Sequence, residues 1–569
     1  MDHARRIQWL VSIAVTACPA IAQDVTTRVS IGPGGLEADQ NCQPPVCSAD
    51  GRFIAFATHA SNLVANDTND ADDVFLHDRQ TGGLTRITLG ALGGELAQPS
   101  NTPRMSADAS VIAFSSWDDP VPGGMPGAPD LFAWNRSSGT TVLVSAGLGG
   151  AAPNGPTVFS SVSAAGRFIA FESNASNLVA NDTNNSTDVF VRDLQNSTTE
   201  RVSLTSSGQQ ASTYSRDAAI SGDGRFVAFS SNAQLVTQDT NGVIDVYVRD
   251  RTLGTLTWIS KGVSGAQPNG HSQPSAISAD GNWIGITSAA SNLVPNDTNA
   301  HLDAFLYSRA TSQLERINLG VADTQANWDV SLNSLSADGR FAGLWTFASN
   351  AAPLDANGVA DGFVYDRVSG VATLVSRSTD DAMGDGNSTD VDISDDGRVA
   401  VFLSRATNLV SNDTNDVIDI FVRERSGSTP TIYCTAQTNS NGCVPAMGAS
   451  GTPSVTSLAE FNVQASHILN GKAGFVFYGF APCAIPFHGG LRCVVMPLYR
   501  TPTQDSGGFS TPPVNCTGFY SFDFNALIRA GTDPHLIGGT FVYAQYWSRD
   551  QLSSSTTNMT DALVFSIGP

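Results

Sequence analysis

Short acidic loops recur along the chain and carry the residues whose spacing could bind a metal ion. Six loops follow the pattern Asp-x-Asn-x-x-x-Asp, mostly within the phrase Asn-Asp-Thr-Asn. Their oxygen-bearing residues are Asp67, Asn69 and Asp73; Asp182, Asn184 and Asp188; Asp239, Asn241 and Asp245; Asp297, Asn299 and Asp303; Asp355, Asn357 and Asp361; Asp413, Asn415 and Asp419. Oxygens at positions 1, 3 and 7 of a tight loop suit Ca²⁺, which takes about 6–8 oxygen ligands. The loops therefore predict calcium sites, and calcium is the one cofactor that the sequence indicates.

The same loops also have a purely structural interpretation. They lack the oxygen at position 5 and the Glu at position 12 of an EF-hand, and position 5 is apolar at Val243, Val359 and Val417. Asp and Asn readily form Asx-turns, and the last Asp could cap the following strand or pair with the Arg of a Gly-Arg-Phe turn. The sequence leaves both interpretations open.

These loops belong to a repeat of 57 or 58 residues. The phrase Ser-x-Asp-Gly-Arg-Phe-x-Ala-Phe begins at Ser48, returns almost unchanged at Ser163 and Ser221, and has four looser copies. The glycine of its turn, or the residue in its place, falls at Gly51, Ala109, Gly166, Gly224, Gly281, Gly339 and Gly397. Self-similarity at such a period is typical of solenoids and propellers, so we predict seven structural units.

Each unit contains signals for four strands, here named a to d in chain order. An Asp-Gly turn leads into strand b, as in 226–230, whose side chains are apolar on both faces and require cover on both sides. Units of this kind pack radially in a β-propeller. The segment that begins at Thr27 matches strand d, but no strand a, b or c precedes it. At the other end of the repeat, Pro430 disfavours a strand d in the seventh unit. We therefore predict an all-β fold whose seven-bladed β-propeller is closed by an N-terminal strand.

The repeated phrase resembles the repeat of TolB-type β-propellers, over roughly residues 24–428. The resemblance implies a fold found in periplasmic interaction proteins and in the non-catalytic propellers of prolyl-oligopeptidase relatives. Those relatives also carry a hydrolase domain with a Gly-x-Ser-x-Gly motif, and this chain contains no such motif. The resemblance thus implies a fold more than a function.

Both ends of the chain differ from the repeat. Arg5 and Arg6, an apolar run and Ala20-Ile21-Ala22 predict a signal peptide over 1–22, although Val15-Thr-Ala-Cys18 also resembles a lipobox that would anchor Cys18. The propeller is predicted over 23–428. Alternating apolar runs over 429–569 predict a β-sandwich-like domain, in which the cluster at Tyr543, Tyr546 and Trp547 is either core or a carbohydrate platform.

Seven cysteines remain after the signal peptide, in a chain predicted to enter an oxidising compartment. Their spacing favours three disulfides, Cys42 with Cys47, Cys434 with Cys443, and Cys493 with Cys516, which leaves Cys483 free. The alternative of a metal site is weaker, because the chain has no Cys-x-x-Cys pair.

The functional prediction is a secreted or periplasmic, non-enzymatic binding or scaffolding protein with a protein or glycan ligand. A net charge of -22 repels nucleic acid. The apolar run of the signal peptide is too short for a stable membrane span, and no stretch of 18 or more apolar residues occurs elsewhere. In a propeller the b–c and d–a connections share one face, where the d–a residues form either a ligand site or a solvated rim. They are Gln98, Asn154, Tyr214, Gln267, Asn269, His271, Gln325, Asn327 and Trp328. The alternative function is a polysaccharide lyase or glycoside hydrolase using carboxylates on that face, although the sequence identifies no catalytic residue.

Overall fold

The structure is a computed structural model that describes residues 24–567, except 318, 321–323, 352–356, 368–369, 426–430, 435, 452, 456, 481, 488–489, 495, 508–514, 537–539 and 554–555. The predicted signal peptide and Cys18 lie outside the described residues. The chain divides into two compact units, one spanning Asp24–Arg425 and one containing Ser426–Pro569. No helix in the described part of the chain is long and apolar enough to cross a membrane.

The described residues of the first unit form seven antiparallel sheets of four strands, the blades of a propeller. Blade 1 contains Val46–Cys47, Phe53–Thr58, Asp73–Asp78 and Gly83–Arg86; blade 2, Ser100–Met105, Val111–Ser116, Asp130–Asn135 and Thr140–Leu143; blade 3, Thr157–Val162, Phe168–Ser173, Asp188–Asp193 and Thr198–Arg201; blade 4, Ser215–Ile220, Phe226–Ser231, Asp245–Asp250 and Thr255–Trp258. Blade 5 contains Ser272–Ile277, Trp283–Ser288, Asp303–Ser308 and Gln313–Arg316; blade 6, Val330–Leu335, Phe341–Thr346, Asp361–Asp366 and Val371–Leu374; blade 7, Ser388–Ile393, Val399–Ser404 and Asp419–Glu424, with Val25–Arg28 as its strand d. Short 3-10 turns lie at Pro33–Gly35, Leu148–Gly150 and Val263–Gly265.

The N-terminal strand closes the ring, as predicted. Val25–Arg28 runs antiparallel to Asp419–Glu424, so that the first and last strands of the propeller share blade 7. This pairing removes an open sheet edge that could otherwise template aggregation. Strand b is buried on both faces, fully so over Phe53–Thr58, because each blade packs between two others.

The repeated phrase forms the contact between neighbouring blades. In blade 1, Gly51 adopts a left-handed φ of 68°, and a Cβ atom there would overlap Val399 of blade 7. Arg52 of the same turn forms two hydrogen bonds to Asp78 and lies over the ring of Phe53. The phrase is therefore explained by packing and turn geometry rather than by ligand binding.

A ring of hydrogen bonds links all seven turns, through the residue that follows the serine of the phrase. The amide of Ala49 donates to the carbonyl of Ala107, and the same bond recurs from Ala107 to Ala164. It continues through Gly222, Ala279 and Ala337 to Asp395, where a side-chain oxygen accepts, and Asp395 in turn donates to Ala49. Small residues are needed here because a Cβ atom on Gly222 would lie only about 3.0 Å from that of Ala279.

The C-terminal unit is a β-sandwich, in agreement with the sequence prediction. One sheet contains Thr431–Tyr433, Thr557–Ser566, Phe541–Arg549, Ala473–Gly479, Tyr499–Arg500 and Gln504–Asp505; another contains Ala446–Ser450, Asn462–Ile468 and Gly518–Asp523. A hairpin, Pro482–Phe487 with Gly490–Val494, and a helix, Phe524–Arg529, complete the unit. The shared core includes Val463 and Tyr520 from one sheet and Tyr546 from the other.

The predicted disulfide pairing is wrong. Cys434 is bonded to Cys493, and Cys443 to Cys516, with Cα atoms 6.3 and 6.5 Å apart. Sheet formation, which the spacing of cysteines does not reveal, determines these partners. The side chain of Cys483 lies outside the described part of the structure.

Cys42 and Cys47 are free thiols, contrary to the predicted bridge between them. Cys42 lies opposite Thr58, whereas Cys47 lies opposite Ile54, further along the same edge of the sheet. Five extended residues span roughly 15 Å, and a disulfide requires Cα atoms within about 7 Å.

Candidate functional site

The b–c and d–a connections lie together on one face of the propeller, here called the long-loop face. In blade 1 the side chain of Glu95, on the d–a connection, accepts hydrogen bonds from the amide and the hydroxyl of Thr68 on the b–c loop. Glu37 binds Thr414 in the same way in blade 7. The two sets of loops thus support each other and place the predicted site residues on one surface.

In blade 1 the acidic loop surrounds an arginine. Arg86, the last residue of strand d, places Nη1 3.1 Å from Oδ1 of Asp67 and 3.2 Å from Oδ2 of Asp73. Asn69 donates to Asp73, and its Oδ1 accepts the amide of Ala71 in an Asx-turn. The guanidinium therefore occupies the point where the carboxylates converge, which is the point a metal ion would need.

The same arginine recurs in the other odd-numbered blades. Arg201 lies 3.1 and 3.2 Å from Asp182 and Asp188, Arg316 lies 3.1 and 3.6 Å from Asp297 and Asp303, and Arg28 lies 3.0 and 3.1 Å from Asp413 and Asp419. Burial raises the pKa of Asp413 to about 6, against the opposing charge of Arg28. The residues of these four loops do not fit a Ca²⁺ ion, because the arginine of strand d already neutralises their carboxylates. The structural interpretation, in which Asp and Asn form Asx-turns, describes these loops.

One detail of that structural interpretation is also wrong. The last Asp of the loop pairs with the arginine of strand d, not with the arginine of the Gly-Arg-Phe turn. The turn arginine binds the carboxylate that ends strand c instead, as Arg167 does with Asp193 at 2.7 Å. This hydrogen bond holds the pKa of Asp193 down to about 2.

The even-numbered blades have Leu143, Trp258 and Leu374 in place of the arginine. In blade 2, whose b–c loop begins Asp118-Asp119-Pro and lacks the Asp-x-Asn pattern, Asp130 accepts the amide of Met125 instead. In blade 6, Asp361 accepts from Asn357 and Ser376, while Asp355 lies outside the described residues. In blade 4, Trp258 donates its indole N–H to Asp245 at 2.8 Å. No three His, Cys, Asp or Glu side chains in the described part of the chain are grouped so as to hold a metal ion.

Most of the d–a residues predicted to face a ligand are structural ties between loops. Asn154, Asn269 and Asn327 each bond a serine on a b–c loop. Gln267 and Gln325 accept backbone amides of the same loops, and His271 accepts the amide of Ile244. Tyr214 lies beneath the guanidinium of Arg216, and Gln98 is exposed. The recurrence of these amides in the sequence therefore reflects loop closure.

Trp328 is the exposed aromatic residue among these d–a residues. Its side chain is 51% exposed and stacks on His301, with ring centroids 5.5 Å apart. Beside this pair lies a cavity of about 580 Å³ lined by Asn296, Thr298, Asn299, His301, Arg316, Thr324, Gln325, Ala326 and Asn327. Its lining offers amides, hydroxyls, the imidazole of His301 and the guanidinium of Arg316 but no carboxylate, although the exposed carboxylate of Asp329 lies 3.2 Å from Nδ1 of His301.

The inner strands carry a second group of polar residues, which the repeat obscured. Glu172 is 4% exposed and accepts the amide of Asp217 at 2.7 Å, and burial raises the pKa of Glu172 to about 7. Asp217, Thr102 and Asp390 adopt left-handed φ values where the register of strand a slips against strand b. Such bulges re-aim side chains, and the spacing of apolar residues gives no sign of them.

The aromatic cluster of the C-terminal unit belongs mainly to its core. Tyr546 is fully buried and Tyr543 is 9% exposed. Trp547 is half-buried and stacks on Phe475 at 5.1 Å. The core interpretation of this cluster therefore holds, and the cluster is not an open carbohydrate platform.

The fold and these loops define a seven-bladed β-propeller joined to a β-sandwich. No protein-family model and no curated protein matches the sequence. Solved structures similar in fold include Pyrococcus horikoshii acylaminoacyl peptidase, at 10% identity and a TM-score of 0.41 over 76% of this chain and 59% of the peptidase. A putative TolB from Agrobacterium tumefaciens shows 15% identity and a TM-score of 0.31, over 61% of this chain and 96% of that one. A chain of the mitotic checkpoint complex shows 12% identity and a TM-score of 0.35, over 74% of this chain and 100% of that one.

Proposed function

We propose that the protein is a secreted or periplasmic, non-enzymatic binding protein that recognises a neutral glycan on the long-loop face of blade 5. The observation that carries this proposal is the exposed Trp328, stacked on His301 beside a polar cavity. An exposed indole offers a flat apolar surface for the C–H face of a sugar, and neighbouring amides and hydroxyls bond its hydroxyl groups.

The polar groups around Trp328 favour binding over hydrolysis. A glycoside hydrolase needs two carboxyl groups flanking the bond that it cleaves. The cavity lining contains none, and the nearby Asp297 is ion-paired with Arg316 at 3.1 Å. Asp329, which pairs with His301 at 3.2 Å, is a single carboxylate and does not supply the second one. The net charge of -22 further favours a neutral ligand over an anionic one.

The compartment is part of the same proposal. Two disulfides join described cysteines of the C-terminal unit, and disulfides persist in oxidising compartments. Together with the predicted signal peptide over 1–22, they support export from the cytoplasm.

The proposal is tested by screening the purified protein against immobilised neutral glycans and measuring affinity for any hit by titration calorimetry. We expect W328A to weaken binding at least tenfold. The matched control is W117A, which removes a tryptophan 47% exposed on the b–c connection of blade 2. Absence of any glycan ligand, or equal loss with both variants, would refute the proposed site. Cleavage of a bound glycan would instead favour the hydrolase or lyase alternative.

A further inference from the structure

Blade 4 breaks the pattern of paired charge on the long-loop face. In blades 1, 3, 5 and 7 the two aspartates of the loop share an arginine. Blade 4 keeps both aspartates, Asp239 and Asp245, but has Trp258 where the arginine stands elsewhere. Among the loops with the Asp-x-Asn-x-x-x-Asp pattern, it is the one whose two aspartates are both described and have no arginine between them.

The two carboxylates of blade 4 are deeply buried. Asp239 is 3% exposed and Asp245 is fully buried. The hydroxyl of Tyr247 donates to Asp239, while Trp258 and Ser260 both donate to Oδ1 of Asp245. Neither aspartate forms an ion pair with any described residue. Burying carboxylates without a compensating cation is costly.

Oδ2 of Asp245 is buried and has no hydrogen-bond partner at bonding distance and angle, although the side-chain amide of Asn241 approaches the same carboxylate. In blade 3 the corresponding oxygen, Oδ2 of Asp188, accepts from Asn184 at 2.9 Å and from Arg201 at 3.2 Å. The oxygen of Asp245 that corresponds to the arginine-bound oxygen of blade 3 therefore has no cation partner in the described part of blade 4. A cation beside this oxygen and Asp239 would take over the role of the guanidinium.

A cavity of about 260 Å³ adjoins Asp239. It is lined by Asn232, Gln234, Asp239, Thr240 and Gly242. All of its polar side chains offer oxygen, the donor that hard cations prefer, and none is a sulfur or imidazole that would favour zinc.

We infer that blade 4 binds one Ca²⁺ ion between Asp239 and Asp245, in place of the arginine of the odd-numbered blades. The two carboxylates supply the charge, and loop oxygens and water complete the shell. With so few charged ligands, the site suits the millimolar calcium found outside cells. Calcium is thus expected in blade 4 and not in the four loops whose aspartates share an arginine.

Calcium chloride alone is the probe, added to the full protein after treatment with EDTA. Isothermal titration and elemental analysis should give one Ca²⁺ per chain. D239N should weaken binding at least tenfold, whereas D182N, at the matching position of the arginine-paired loop in blade 3, should bind as the wild type does. W258R should abolish binding, because it supplies the guanidinium that the other blades carry.

The test does not depend on the folding of W258R, because D239N removes the charge of Asp239 while leaving the shape of the side chain almost unchanged. No bound calcium in the wild type would show that a proton neutralises the pair, and the inference would fall. Equal binding by D239N and the wild type, or equal loss with D182N, would also overturn it. Glycan binding through Trp328 is read out separately, so neither result depends on the other.

Discussion

Gly397 packs against the ring of Phe341, the first residue of strand b in the preceding blade. A Cβ atom at Gly397 would lie 2.6 Å from Cγ of Phe341, and the φ of Gly397 is 66°. The repeated phrase therefore requires glycine at this position for two reasons: the left-handed backbone conformation and the close contact with the neighbouring blade.

We therefore expect G397A to lower the free energy of unfolding by about 2–4 kcal/mol, through backbone strain and overpacking. The matched control is G254A, because Gly254 has a φ of 68° but a Cβ atom added there would have no neighbouring atom within 4 Å. That variant should lose only about 1 kcal/mol, the cost of left-handed backbone. Urea denaturation of both proteins measures the difference, and equal losses would show that the contact with Phe341 contributes nothing.

The propeller fold could be predicted because the repeated phrase recurs at a regular spacing along the sequence, from Ser48 to the turn at Gly397. The ion pairing of the acidic loops could not be predicted in the same way, because the partner of Asp188 is Arg201, a residue of the next strand. Only the register of strand d beside strand c brings these two together. The recurrence of Arg86, Arg201 and Arg316 at one position of the repeat was the available signal. Trp328 carried no periodic signal, since the other d–a loops have different residues there.

Loss of a loop arginine should be strongly destabilising. R201L leaves the carboxylates of Asp182 and Asp188 buried without their cation, and breaking such a buried pair costs about 3–5 kcal/mol. The double variant R201L/D182N should recover part of this loss, because one of the two buried charges is removed. Thermal and urea unfolding of the two single variants and the double variant measure the coupling. A cost below about 1 kcal/mol for R201L would contradict the burial of this ion pair.

Glu172 should make stability fall as pH rises. Burial raises its pKa in the folded protein to about 7, from an ordinary value of 4.5, so the folded state holds a proton that the unfolded state has lost. The folded state is therefore favoured below pH 4.5 relative to alkaline pH, and this contribution is lost as pH rises through 7. E172Q keeps an oxygen acceptor for the amide of Asp217 and cannot ionise.

Calorimetric melting at pH 5 and pH 8 tests this expectation. The stability of E172Q relative to the wild type should rise by on the order of 2–3 kcal/mol between the two pH values. The control is E200Q in the same blade, where Glu200 forms an ion pair with Arg251 at a half-exposed position and contributes little. A constant difference between E172Q and the wild type across this range would show that Glu172 is ionised in the folded state at both pH values.

The disulfides should be confined to the C-terminal unit among the cysteines that the structure describes. Non-reducing digestion and mass spectrometry should recover peptides linking Cys434 to Cys493 and Cys443 to Cys516. Because the second bond closes a loop of 73 residues, C443S should destabilise its unit by about 4 kcal/mol in the loop-entropy model.

Cys42 should resist iodoacetamide in the native protein and react after denaturation, since burial raises its thiol pKa to about 12. A peptide in which Cys42 is bonded to Cys47 would contradict the extended strand that holds them apart.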